Sequence, residues 1–261
     1  MKFCSLYAQG NIQVQPDITP SYVVQDSITL GTIKCYLKDG YNTGATVTIV
    51  PKRNGAKLFN TAPTIAAPTQ KDAMDATTDW TSVGGGTDVT ISNDTSIKLE
   101  GTGSLKLVVD ASGDTQVDKT YGSFSAASPK AISFYIGADV ATTCKFYITD
   151  GTNTSYFDLD NVPLVSATNL NFLRVYLTSE KLNNPDSNSG TKCDITAITH
   201  LGFSSLVASG TYYIDDIELE NYSTGTPDVT ALVAGDVLSV DVTVVGSTLT
   251  GAGILVDFIK A

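Results

Sequence analysis

Histidine occurs once in this chain of 261 residues, tryptophan once and methionine twice. A single imidazole leaves no zinc centre of the Cys2His2 kind. The four cysteines, at positions 4, 35, 144 and 193, include no CxxC pair, so the usual zinc and redox spacings are missing as well. Two readings of them stay open. They form two disulfides, Cys4–Cys35 and Cys144–Cys193, or they are four small buried hydrophobes with free thiols. The start, MKFCSLYAQGN, carries one lysine and no apolar core. It does not read as a secretory signal, which favours the thiols. Charge is scarce too: charged residues make up 16% of the chain, and the net charge is −11. An acidic chain is repelled by phosphate backbones, which argues against nucleic acid as a partner. No apolar run is long enough to cross a membrane, and no stretch has the period of a long amphipathic helix.

What the chain does contain is glycine, 22 in all, with abundant Thr, Ser, Val and Asp. That mixture favours strands joined by tight turns. DSITLGTIKCYLKDG and GATVTIVPKRNGAKLF alternate apolar and polar residues, as half-buried strands do. Asn54-Gly55 suits the positive φ angles of a tight hairpin. Pro63 and Pro68 then end the pattern. Near the other end, DVLSVDVTVVGS and GILVDFIKA are two more strands around a Gly-rich turn. An isolated hairpin is marginal in water, so these two strands need a partner. The economical solution is that both chain ends form one domain and the middle is an insertion, tolerated because lengthening a loop costs only about 0.6 kcal/mol per doubling. The predicted fold class is all-β, a split β-sandwich host (1–72 plus 223–261) with an inserted β-jelly roll (73–222).

The two ends also resemble a small β-sandwich domain of tailed-bacteriophage structural proteins. The residues that carry this are GATVTIVPKRNGAKLFNTAPTIAA and VTALVAGDVLSVDVTVVGSTLTGAGILVDFI. Arg53 interrupts the family's K-N-G pattern. The resemblance implies a virion protein assembled in the host cytoplasm: a capsid decoration or head-fibre protein. Its partners would be the major capsid protein or other virion proteins, and local threefold symmetry would make it a homotrimer. A tail-associated adhesin that recognises host surface glycan is the alternative.

The middle resembles the jelly roll of non-catalytic carbohydrate-binding modules, through DWTSVGGGTDVTISNDTSIKLEGTGSLKLVVD and ITHLGFSSLVASGTYYIDDIELEN. That resemblance implies a bacterial surface glycan as partner and a structural calcium. Glu100 and Asp215 or Asp216 stand where such modules hold the ion, and Asp75 is positioned to add a ligand. The competing reading makes these acids solvated turn residues.

Period two sorts the aromatic doublets. Ile132, Phe134 and Ile136 share one face, and so do Phe146 with Ile148, Phe157 with Leu159, and Leu173 with Val175 and Leu177. This puts Tyr135, Tyr147, Tyr156, Arg174 and Tyr176 on the outside. They form either a face that stacks sugar or docks a partner or plain cross-strand packing. The strand TYYIDDIELEN does not sort cleanly, so a bulge is expected there.

Catalysis finds little support. A glycosidase needs two placed carboxylates, and with 27 acids in the chain some pair is inevitable. His200 lies in the strand-like ITHLGF, and no G-x-S-x-G elbow accompanies it. The triple glycine at 84–86 does not open a helix, so it is no phosphate cradle.

Overall fold

The computed structural model describes residues 2–9, 16–38, 46–83, 88–110, 116–128, 130–245 and 253–261. The triple glycine at 84–86 and the turn at 246–252 lie outside them. The chain divides into two compact units, Met1–Thr69 with Glu220–Ala261, and Gln70–Leu219. Both are β. Among the described residues the one helix is the single turn Ser179–Leu182.

The split unit is a sandwich built by both chain ends. In one sheet Gly253–Lys260 lies between Lys2–Gln9 and Ile28–Lys38, antiparallel to each. In the other, Val237–Val245 pairs with Thr46–Arg53, which also pairs with Ala56–Lys57 and Thr64–Ala66. Alternate residues point inward. Ile33, Cys35 and Leu37 meet Val47 and Ile49 from the first half of the chain, and Val240, Val242, Val256 and Phe258 from the second. Neither half could bury these side chains alone.

The hairpin motif locks the halves together. Asn54 and Gly55 take φ values of 49° and 80°, as the tight turn requires. Asn54 Nδ2 donates to Asp236 Oδ1 at 2.6 Å, and the Val237 amide donates to Asn54 Oδ1 at 2.8 Å. Arg53, the residue that interrupts the motif, holds Asp236 Oδ2 at 2.8 Å through Nε and donates from Nη1 to the Ala231 carbonyl. The first motif thus grips the AGD turn of the second.

The disulfide reading fails on geometry for the first pair. Cys4 faces Phe258 and Cys35 faces Val256, so a whole strand separates them. Two strand spacings put them at least about 9 Å apart, beyond what a disulfide spans. All four cysteines are free. Burial pushes the thiols of Cys4, Cys144 and Cys193 up to about 12, which leaves them unreactive.

The inserted unit packs two antiparallel sheets. One has the order Val89–Asp94, Ser104–Val109, the first part of Thr211–Gly225 (to residue 219), Lys130–Ala138, Leu173–Thr178, and Thr69–Asp72 also pairs with Thr211–Gly225. The other runs Ser187–Ser189, Thr154–Val162, Thr142–Thr149, Ile198–Ser204, Val117–Phe124, Trp80–Ser82. Between them lies an aromatic core. Phe134 meets Phe146 at 4.6 Å and Phe203 at 5.3 Å, and Trp80 stacks on Phe203 at 6.2 Å. Strand Thr211–Gly225 changes parity in its middle. Tyr212 and Ile214 face this core, and so do Ile217 and Leu219. Asp216 absorbs the extra residue with φ 52°.

Candidate functional site

The five residues expected to share one outer face do not share it. Tyr147 and Tyr156 lie on the six-stranded sheet, and Tyr135, Arg174 and Tyr176 lie on the other. Period two tells inside from outside, but a sandwich has two outsides.

On that other sheet, Tyr135 and Arg174 are cross-strand neighbours, with the guanidinium 5.4 Å from the ring centroid. Arg174 Nη2 reaches Glu218 Oε2 at 3.6 Å, and Ser133, opposite Tyr176, donates to the same oxygen at 3.5 Å. Glu218 is fully buried, and Tyr135, Arg174 and Tyr176 are half-buried around it. The cluster surrounds a buried acidic side chain.

The six-stranded side is different. Strand register sets one row across it: Ser187, Tyr156, Tyr147, Gly202, Asp118, Thr81. Tyr147 was expected to be exposed, yet it is only 1% exposed. Its ring lies flat across the next strand, where Gly202 has no side chain. A Cβ there would sit 2.4 Å from Tyr147 Cζ. The hydroxyl reaches Asp118 Oδ2 at 3.0 Å, and the Gln116 side chain bonds it too. Burial beside Asp118 raises the phenol well above its ordinary pKa. Tyr156, whose ring centroid is 5.7 Å from that of Tyr147, stays half-exposed.

The neighbouring row on the same face contains Asp158, Lys145 and Ser204. Lys145 Nζ holds Asp158 Oδ1 at 2.8 Å. Between the rows a cleft of about 270 Å³ is lined by Gln116, Lys145, Tyr156, Ser187, Ser204 and Ser205. Ser204 is buried on its floor, and its Oγ has no hydrogen-bond partner among the described residues. Ser205, at its rim, takes φ 53°, a conformation a non-glycine residue seldom adopts without a local reason. Sequence reasoning missed Gln116, Lys145 and the serines as site residues. Their signal is cross-strand register, which one strand's pattern does not contain.

The expected metal ligands sit around the loop at 99–103. Asp75 Oδ1 accepts from the amides of Thr102 (2.5 Å) and Gly103 (2.8 Å). Asp215 Oδ2 accepts from Leu99 (2.7 Å) and Glu100 (3.1 Å). Asp216 receives Gln70 Nε2 at 3.1 Å. Asp215 and Asp216 are buried, not solvated, whereas Glu100 is exposed. Among the described residues no three acidic, His or Cys side chains converge as a ligand set. The charge balance nevertheless suits a cation. Asp215 Oδ1 is enclosed without a partner. Burial, with Asp216 and Glu100 nearby, pushes its carboxyl up to about 6 against the pull of its two amide bonds.

His200 Nδ1 lies 2.9 Å from Thr199 Oγ1. Ser204 is four residues further along the same strand, about 13 Å away, so the two cannot act as a catalytic pair.

No family model and no curated protein matches the chain. Solved structures do show likeness. The family 11 carbohydrate-binding module of the cellulosomal cellulase Lic26A-Cel5E of Clostridium thermocellum is 17% identical, covering 59% of this chain and 94% of its own, with a TM-score of 0.43. A putative sugar binding protein from Bacteroides thetaiotaomicron is 14% identical over 60% of this chain and 95% of its own, with a TM-score of 0.39. The module TmCBM61, solved with β-1,4-galactotriose, is 11% identical over 60% and 99%, with a TM-score of 0.39. At TM-scores this low the likeness carries no argument, and the fold rests on the strand pairing above.

Proposed function

We propose that the chain is a non-enzymatic structural protein of a tailed-phage virion, a capsid decoration or head-fibre protein, whose inserted module binds glycan. The observation that carries the glycan reading is the cleft on the six-stranded sheet. A half-exposed tyrosine ring stands beside a buried serine hydroxyl without a partner, an amide and a Lys–Asp pair. Apolar ring faces and fixed polar groups are what a sugar needs. The virion setting is supported by the resemblance of the two chain ends, whose motif residues Arg53, Asn54 and Asp236 bond to one another. On this reading the split domain docks on the particle as a trimer. A cation against Asp215 Oδ1 ties the loop at 99–103 to the module.

The same cleft favours a second reading, a tail adhesin that recognises host surface glycan. Antibody labelling of particles separates the two: label on heads supports decoration, and label confined to the tail tip supports the adhesin. Glycan binding itself is tested by titrating the purified protein against host polysaccharide fragments, with Tyr156→Ala as control. Equal binding by the variant would refute this site.

A further inference from the structure

A long glycan laid across a sheet needs a row of exposed rings. On this face the row is interrupted. Tyr147 is 1% exposed, and its ring fills the groove over Gly202 and ends on Asp118. Among the described residues, Tyr156 is the one ring in the lining of the cleft. The cleft volume, about 270 Å³, falls just below the usual range for small-ligand pockets, roughly 300–1,000 Å³. That is room for one sugar ring.

Charge narrows the class further. Among the described residues Lys145 is the single charged one in the lining, and Asp158 already holds it at 2.8 Å. Asp186, which accepts from the Asp158 amide at 3.0 Å, has its own partner in Lys181 at 2.7 Å, and Lys145 also helps hold its carboxyl below the ordinary range. On the far side, Asp118 accepts from Tyr147. Lys145, Asp158, Lys181 and Asp186 balance one another, and Asp118 adds a negative charge held, among the described residues, only by a neutral hydroxyl, so an anionic sugar would have to break an existing pair and face a further carboxylate. A neutral ring would not. Its hydroxyls can donate to Asp158 and accept from Lys145 and Gln116, while one of them satisfies Ser204 Oγ. Leaving a buried hydroxyl unpaired is costly, so filling that bond gives a hydroxylated ring an advantage over an apolar one.

We infer that the module binds a single neutral pyranose ring, stacked on Tyr156 and read by Ser204, Gln116 and the Lys145–Asp158 pair, and so recognises chain ends or side branches of a polysaccharide. This rests on the glycan reading above and names its substrate class. The test is NMR titration of the full chain with three probe sets: neutral methyl pyranosides (gluco, galacto, manno and 2-acetamido), the matching uronates, and linear neutral trisaccharides. Expected is binding of at least one neutral monosaccharide, with the trisaccharide built on that ring less than about tenfold tighter. Tyr156→Ala should weaken binding about tenfold or more, and Ser204→Ala by about two- to tenfold, the worth of one hydrogen bond. Both variants should keep the wild-type spectrum elsewhere. A trisaccharide more than about tenfold tighter than its monosaccharide overturns the single-ring inference and leaves the glycan reading standing. A uronate about tenfold tighter than its neutral partner, with the gain lost in Lys145→Met, overturns neutrality. Absence of binding by all three sets overturns the inference and the glycan reading together.

Discussion

Tyr147 shows how far one strand's sequence can be trusted. Alternation places Phe146 and Ile148 in the core and Tyr147 on the opposite face, and the structure agrees on all three. Whether that face is wet depends on a residue fifty-five positions away. Because position 202 is glycine, a tyrosine ring can lie down across it. Gly202→Ala would place a Cβ 2.4 Å from both the Tyr147 ring and the Val117 carbonyl. Overpacking of this kind typically costs about 1–3 kcal/mol. A lower melting temperature with altered Tyr147 and Tyr156 ring signals is expected, and an unchanged melt would show that the ring does not need the gap. Asp215 belongs to the same scale. Its carboxyl sits at about 6 against an ordinary 3.8. The unfolded chain therefore releases this proton first, and stability falls as pH rises from about 4 to about 6. The fall amounts to up to about 3 kcal/mol. On the acid side Asp150, held down to about 2 chiefly by the Asp194 amide, contributes in the opposite sense and loses its contribution as pH drops below about 4. A bound cation favours the ionised Asp215 and removes the loss at higher pH. Melts in chelator should show the decline, melts in calcium should flatten it, and Asp215→Asn should abolish the difference. Calcium-independent melts would remove the cation from the reading.

Strands were largely legible because burial on one face forces alternation. Ile132, Phe134 and Ile136, Phe146 and Ile148, and Phe157 and Leu159 take the core side as alternation requires, although burial itself does not alternate throughout, because Ser133 and Tyr147 are covered as well. The expected irregularity in TYYIDDIELEN is a parity switch at Asp215–Asp216, where both acids end up buried. Sequence could locate the break but not the loop that fills it, since the amides of Leu99 and Glu100 come from more than a hundred positions away. The hairpin at Asn54-Gly55 was legible as a turn; its second role was not. Asn54 is also a clamp on Asp236 and Val237, and only pairing of Thr46–Arg53 with Val237–Val245 reveals it. Asn54→Ala is expected to lower the melting temperature of the split domain and leave module signals unshifted in an amide NMR spectrum. Changes centred on the module instead would mean that the clamp does not act where the bonds place it.

At the scale of the whole chain, the open question is whether 1–69 and 220–261 fold without what lies between them. Their core draws on both segments: Ile33, Leu37 and Ile49 from one, Val240, Val256 and Phe258 from the other. Asn221 Nδ2 donates to the carbonyls of Ala66 (3.4 Å) and Ala67 (3.2 Å), so the two cut ends lie side by side and a few glycines and serines can join them. Closing so short a loop costs little entropy. Phe134, Phe146, Phe157 and Phe203 all belong to the separate core of 70–219, so their removal takes no side chain from the first. A chain with 70–219 replaced by a Gly-Ser linker is expected to give a β-type circular dichroism spectrum, dispersed amide signals and a cooperative melt. It should also retain whatever particle binding the intact protein has. The complementary chain, 70–219 alone, should fold and keep the sugar affinity of the Tyr156 cleft. Collapse of the joined ends to an unfolded spectrum while 70–219 folds would show that the insertion templates its host. Particle binding that followed 70–219 would place the docking surface on the module.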